Sequence, residues 1–132
     1  MGRTMLRAKI HRAHVTGADV DYVGSISLCP ELMAAADIRE YEQVHVLDVD
    51  NGARLVTYAI VGEPREVCLN GAAARLVDVG DVVIVLAYAQ VDEAELDGFH
   101  PRVVHVDTAN RIVDEATAKA AAGSRRYVTV DA

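Results

Sequence analysis

Between two β-rich runs, QVHVLDV (43–49) and RLVTYAIVG (54–62), stands Asn51-Gly52. Asn-Gly accepts the positive-φ backbone of the tightest hairpin turns, so it commits residues 43–62 to an antiparallel pair and the chain to a β-rich fold. The flanking sequence agrees. TMLRAKIHRAHV (4–15) alternates, with Leu6, Ala8 and Ile10 pointing one way and Arg7, Lys9 and His11 the other, the period of a half-buried strand. VGDVVIVLAYA (79–89) is nearly all apolar, as a strand buried on both faces would be. YVGSISL (22–28), EVCLNG (66–71), RVVHVD (102–107) and RIV (111–113) read as further extended segments. TGADVD (16–21) reads as a turn, the stretch from Pro30 as a short helix, AAARLV (72–77) as a helical turn and DEAELDGFHP (92–101) as a polar loop. These elements predict one mainly-β domain over residues 1–113, a compact barrel with short helices. A variable, Ala-rich tail follows over 114–132, readable as a frayed helix or as disorder.

The chain has 132 residues, 52% hydrophobic and 25% charged, enough for one real core. Trp is absent and Phe99 is the single Phe, so that core must be aliphatic. A net charge of −7 argues against nucleic acid as a partner. Residues 1–14 nevertheless hold Arg3, Arg7, Lys9, Arg12, His11 and His14 and no acid. Such a cluster suits a small anionic ligand, and equally a solvated strand face. Cys29 and Cys68 show neither CxxC nor metal-type spacing and read as reduced core residues. The N-terminus lacks the apolar core of a signal peptide and no run reaches the length of a membrane span. The expectation is a cytoplasmic protein without a membrane role.

The chemically suggestive pair is Gly24-Ser25, inside YVGSIS. A glycine within a strand pattern ordinarily marks a bend or bulge. A serine hydroxyl can also attack the carbonyl preceding it and exchange the amide for an ester. Glycine on the acyl side removes the Cβ that would hinder the attack. Elimination from that ester leaves dehydroalanine, and hydrolysis with loss of ammonia leaves a pyruvoyl group. Its carbonyl can form a Schiff base with an amine and withdraw electrons.

Other residues could serve such a centre. Arg54 and Tyr58 are four apart on one strand and share a face with each other; between them lies Thr57. A guanidinium grips carboxylates and a phenol moves protons. Asn70-Gly71-Ala72-Ala73 offers an amide and reachable backbone N–H groups. Taken singly, each has an equally good structural reading: surface cation, strand edge, or turn.

Together the blocks RTMLRAKIHRAHVTGADVDYVGS, NGARLVTYAI and LNGAAARLVDVGD, in that order, resemble the aspartate alpha-decarboxylase family, pyruvoyl-dependent enzymes that make β-alanine for pantothenate. The resemblance implies a double-psi β-barrel and a homotetramer with sites between neighbouring subunits. It implies self-cleavage between Gly24 and Ser25 into chains 1–24 and 25–132, with Ser25 converted to the pyruvoyl cofactor that forms the Schiff base. Thr57 would polarise the Gly24 carbonyl during the cut and also contact substrate. L-Aspartate would be held by Arg54 and Lys9, with Gly71, Ala72 and Ala73 as further contacts. Tyr58 would donate the proton that replaces CO2. His11, Tyr22 and Asn70 would line and support the site, and no metal is implied.

Two positions depart from the family pattern. Val23 stands where an acidic residue is common before the Gly-Ser pair, and His14 where smaller residues are common. Val23 bears on the rate of processing or on the need for a maturation factor. Two other readings make different predictions. A non-catalytic small-ligand-binding barrel would remain uncut. A metal enzyme would draw on His11, His14, His45, His100 or His105, but His11 and His14 fall on opposite faces of one strand.

Overall fold

The computed structural model describes residues 1–121. The long first strand β1 (Gly2–His14) runs almost directly into the short β2 (Gly17–Asp19). Then come β3 (Ser25–Leu28), helix α1 (Pro30–Ala36), the hairpin β4 (Gln43–Asp48) and β5 (Arg54–Val61), and β6 (Val67–Asn70). A 3-10 turn over Gly71–Leu76 leads to β7 (Val82–Asp92), and β8 (Arg102–Val106), β9 (Ile112–Val113) and α2 (Glu115–Ala121) complete the described chain. The strand order is β2-β6-β3-β5-β4-β7-β1-β8-β9. Since β1 and β2 are consecutive yet lie far apart in this order, chain continuity bends the sheet back on itself. Thr16 N–H donating to the Val67 carbonyl at 2.8 Å seals the return. The architecture is mainly β and agrees with the small double-psi barrel that the resemblance implies.

The inward face is aliphatic, as the absence of Trp requires. Ile10, Ile26, Leu28, Val46, Leu69 and Val85 are fully buried there. Helix α1 starts at Pro30, ends on Asp37 in the left-handed conformation (φ 55), and buries Leu32, Met33 and Ala36. The Asn51-Gly52 turn is present, with Gly52 at φ 77. None of the described helices is long and apolar enough to cross a membrane.

Four expectations need correction. Residues 17–19 are not only a turn: they form β2, parallel to β6 with Gly17 opposite Cys68. The strand expected from Tyr22 begins only at Ser25; Tyr22 and Val23 are 53% and 74% exposed. The apolar run ends in a strand buried on both faces only over its first half, and Gly80 (φ 95) belongs to the preceding turn. The polar side of β1 is not solvated, because β8 lies parallel along it with Lys9 opposite Val103 and His11 opposite His105, leaving Lys9 and His11 each 7% exposed. In the tail, Glu115–Ala121 is helical, and 122–132 lies outside the described residues.

Candidate active site

Strand β3 starts where two others meet it. It runs parallel to β5, with Ile26 opposite Ala59, and antiparallel to β6, with Ser25 opposite Asn70. The chain therefore passes from an exposed Gly24 to a Ser25 that is 1% exposed within one residue. The Gly-Ser pair does not interrupt a strand; it is the junction between a free loop and a buried strand end. Ser25 Oγ donates to the Val23 carbonyl at 3.3 Å and accepts from Asn70 Nδ2 at 2.9 Å.

Gly71 brings the next element onto this junction. Its φ of +66 belongs to the left-handed region, and a Cβ there would stand 2.6 Å from Gly24 Cα, 2.9 Å from Gly24 N and 3.1 Å from the Tyr22 carbonyl oxygen. Only glycine lets the 71–76 turn lie against the 22–24 backbone. The two segments with β5 enclose an open cleft of about 440 Å³, walled by Gly24, Thr57, Tyr58, Asn70, Ala72 and Ala73. The arrangement couples a candidate scissile carbonyl, a serine hydroxyl held by an amide donor, and a threonine and a tyrosine on the same cleft.

The remaining candidates do not line that cleft in the single chain, although Leu55 and Val56 border both the cleft and the cavity beside Arg54. Arg54 opens β5 and is exposed, beside a second cavity of about 310 Å³ that it shares with His45, Leu47, Leu55 and Val56. Lys9 lies in one cross-strand row with Leu86, His45 and Val56. Arg54 pairs with Leu47, two residues along from that row. Cross-strand partners and residues two apart share a face. Lys9, His45, Arg54, Val56 and Tyr58 thus belong to the face opposite the aliphatic core. Tyr22 is exposed on the loop before the Gly-Ser junction. His11 packs edge-on against His105 with ring centroids 6.0 Å apart.

Burial shapes the chemistry of the first strand. It lowers the pKa of the Lys9 ammonium below the ordinary range. It also pushes His11 down to about 4, assisted by the charges of Lys9, His105 and Arg12, so His11 is neutral near pH 7. Burial is the main cause of the lowered His105 as well. The histidines considered as metal ligands do not converge. Among the described residues, the group of potential ligands that does is Asp48, Asp50 and Asp81, with carboxylate oxygens within 4.8 Å of one another. Burial raises Asp48, and its hydrogen bond to Asp81 raises it further while lowering Asp81. The contact brings the end of β4 to the start of β7.

Two residues escaped sequence reading. Ser27 also accepts from Asn70 Nδ2, at 3.0 Å, and the Cys68 thiol lies 3.4 Å from Asn70 Oδ1. Each is two residues from a recognised candidate on the same strand, Ser25 or Asn70, so the strand period was the available signal. The pairing of β3 with β6, which puts Ser27 opposite Cys68, was not.

Residues 1–113 match a family model described as aspartate decarboxylase. A relative from Gloeobacter violaceus, named Aspartate 1-decarboxylase 1, is 61% identical over 115 residues, covering 86% of this chain and 98% of the relative.

Proposed function

Because the chain belongs to the aspartate decarboxylase family, we propose that its chemistry is centred on Ser25, converted by self-cleavage at Gly24-Ser25 into a pyruvoyl group. The protein is a lyase that decarboxylates L-aspartate to β-alanine and CO2 for pantothenate biosynthesis. The observation that carries the proposal is the junction itself. Gly24 borders the cleft, the following serine is buried with its hydroxyl held by Asn70, and Gly71 keeps the backbone there free of side chain.

In the cut, Ser25 Oγ attacks the Gly24 carbonyl carbon. The C–N bond breaks, and the hydroxyl proton ends on the freed Ser25 nitrogen. Thr57, on the same cleft, polarises the Gly24 carbonyl as negative charge develops on its oxygen. Loss of the Ser25 Cα proton then expels the Gly24 carboxylate from Cβ; water adds to the resulting dehydroalanine and ammonia leaves. The junction suits the product, since Ser25 becomes a chain end beside the cleft and Asn70 remains as a donor. A pyruvoyl group held there would offer its carbonyl to the substrate amine and supply a sink for the electrons released with CO2.

Aspartate carries two carboxylates and needs cations that the Gly24 cleft of one chain does not supply. Arg54 and Val56 are exposed on the outward sheet face, and Lys9, itself 7% exposed, lies in the same cross-strand row as Val56. A homotetramer that seats this face of one subunit against the Gly24 cleft of its neighbour completes the site. Arg54 holds the retained carboxylate, leaving the departing one in less polar surroundings. Lys9 adds positive charge, and neutral His11 and Tyr22 support the walls. Tyr58 supplies the proton to the former Cα, and the backbone amides of Gly71, Ala72 and Ala73 are further contacts for the substrate. The exposed Val23 makes processing open to help from a maturation factor. The two buried free cysteines suit the reducing cytoplasm.

A denaturing intact-mass spectrum before and after incubation tests this reading. Two chains, 1–24 and 25–132, are expected, the longer about 17 Da lighter than its serine-ended form because ammonia has been lost. A single uncut mass that survives incubation, heating and addition of a cell extract would overturn it and favour a barrel that only binds.

A further inference from the structure

Where β3 and β6 run antiparallel, four polar side chains form a small rectangle: Ser25 opposite Asn70, and Ser27 opposite Cys68. All four are buried, at 1%, 3%, 9% and 9% exposure for Ser25, Asn70, Ser27 and Cys68. Asn70 is the hub. Its Nδ2 carries two hydrogens and serves two oxygens, Ser25 Oγ at 2.9 Å and Ser27 Oγ at 3.0 Å. Its Oδ1 lies 3.4 Å from Cys68 Sγ. Burial, with the charges of Glu66 and Asp19, raises the Cys68 thiol above its ordinary pKa, so it stays protonated and donates. Strand β2 closes over the sulfur: a Cβ on Gly17 would stand 3.2 Å from it.

A carboxamide whose surroundings treat its two ends alike can rotate by half a turn and present oxygen where nitrogen stood. That would matter here. The oxygen end would compete for the Ser25 hydroxyl proton, whereas the nitrogen end donates to Oγ and holds it in place while that proton points at the Val23 carbonyl. We propose that Ser27 and Cys68 are positioning residues that fix the rotamer and the facing of Asn70, so that an amide hydrogen points at Ser25 Oγ during self-cleavage. This rests on the reading that the chain cuts itself at Gly24-Ser25. Asn70 cannot hold itself: with one end on a nucleophile that is consumed, the second hydroxyl and the thiol are the contacts that persist. Neither Ser27 nor Cys68 touches the Gly24 carbonyl.

The test follows the uncut chain by denaturing mass spectrometry in the wild type and in Ser27→Ala, Cys68→Ala, Cys68→Ser and Asn70→Ala, with melting temperatures measured alongside. Losing one contact to Asn70 is expected to slow cleavage about fivefold in Ser27→Ala and in Cys68→Ala. Cys68→Ser keeps a donor and is expected to restore most of the rate, which a packing role for the sulfur would not allow. Adding Ser27→Ala to Asn70→Ala should cost nothing further, because Ser27 acts through Asn70. Wild-type rates in Ser27→Ala and Cys68→Ala, or equal slowing by Cys68→Ala and Cys68→Ser, would overturn the inference while leaving self-cleavage intact. A wild type that never cleaves would instead remove the reading beneath it.

Discussion

Replacing Gly71 by alanine tests whether the junction is held as tightly as the distances imply. The new Cβ would sit 2.6 Å from Gly24 Cα, against a backbone atom that cannot rotate away, where ordinary contact begins at 3.4 Å. Relief therefore requires the 71–76 turn and the 22–24 segment to part by about 0.8 Å. Alanine must also adopt φ near +66, which costs an L-residue about 1–2 kcal/mol. That second cost lowers global stability. The first acts where the proposed cut would occur, because Gly24 carries the carbonyl that Ser25 Oγ would have to reach. A displacement of roughly 1 Å at reacting groups slows an intramolecular step by about 100-fold. Gly71→Ala should therefore melt a few degrees lower yet remain folded, and its uncut chain should disappear about 100-fold more slowly in a time course read by denaturing mass spectrometry. A folded Gly71→Ala protein that cleaves within about threefold of the wild-type rate would refute the argument. It would mean that the loop before Ser25 is not held against the 71–76 turn when the bond breaks.

Two further outcomes follow from the site. Arg54→Lys should raise KM for aspartate about tenfold or more with a smaller change in kcat, since a point charge does not replace a two-pronged grip on a carboxylate; an unchanged KM in steady-state assays would remove Arg54 from substrate binding. His11 binds its proton near pH 4 in the fold and near 6.5 when unfolded, so the unfolded chain takes up more protons between those values. The stability contributed by neutral His11 is thus present above pH 6.5 and lost as the pH falls through about 4; urea midpoints at pH 7.5 and pH 5 should differ, and His11→Gln should narrow the difference.

The sequence carries the local features well and the long-range ones poorly. The Asn51-Gly52 hairpin and the helix begun by Pro30 depend on neighbours in the chain, and each is visible in a short stretch; that Gly24-Ser25 joins a free loop to a buried strand end depends on β5 and β6. The burial of Lys9 and His11 depends on β8, more than ninety residues away, lying parallel along β1. Alternation in residues 4–15 specifies two faces but cannot say that both are covered. In the same way, Ser27 and Cys68 look like ordinary strand residues until β3 and β6 pair in a register that surrounds Asn70. Arg54 and Tyr58 were legible as sharing a face. That the Gly24 cleft gathers Tyr58 and Thr57 but not Arg54 was not, because it depends on how the barrel closes.

The position of β1 decides what a cut after Gly24 would leave behind. The short fragment would contain the strand that pairs on one side with β7 through ten cross-strand partners and on the other with β8. It would also carry β2, which pairs with β6. A broken peptide bond there would open a surface loop without freeing any structural element. The two products would behave as one particle in native solution and share one cooperative unfolding transition. Once unfolded, however, they would separate, and refolding would become a bimolecular event whose success depends on concentration. Maturation would thus convert a chain able to fold alone into a pair that must find each other again.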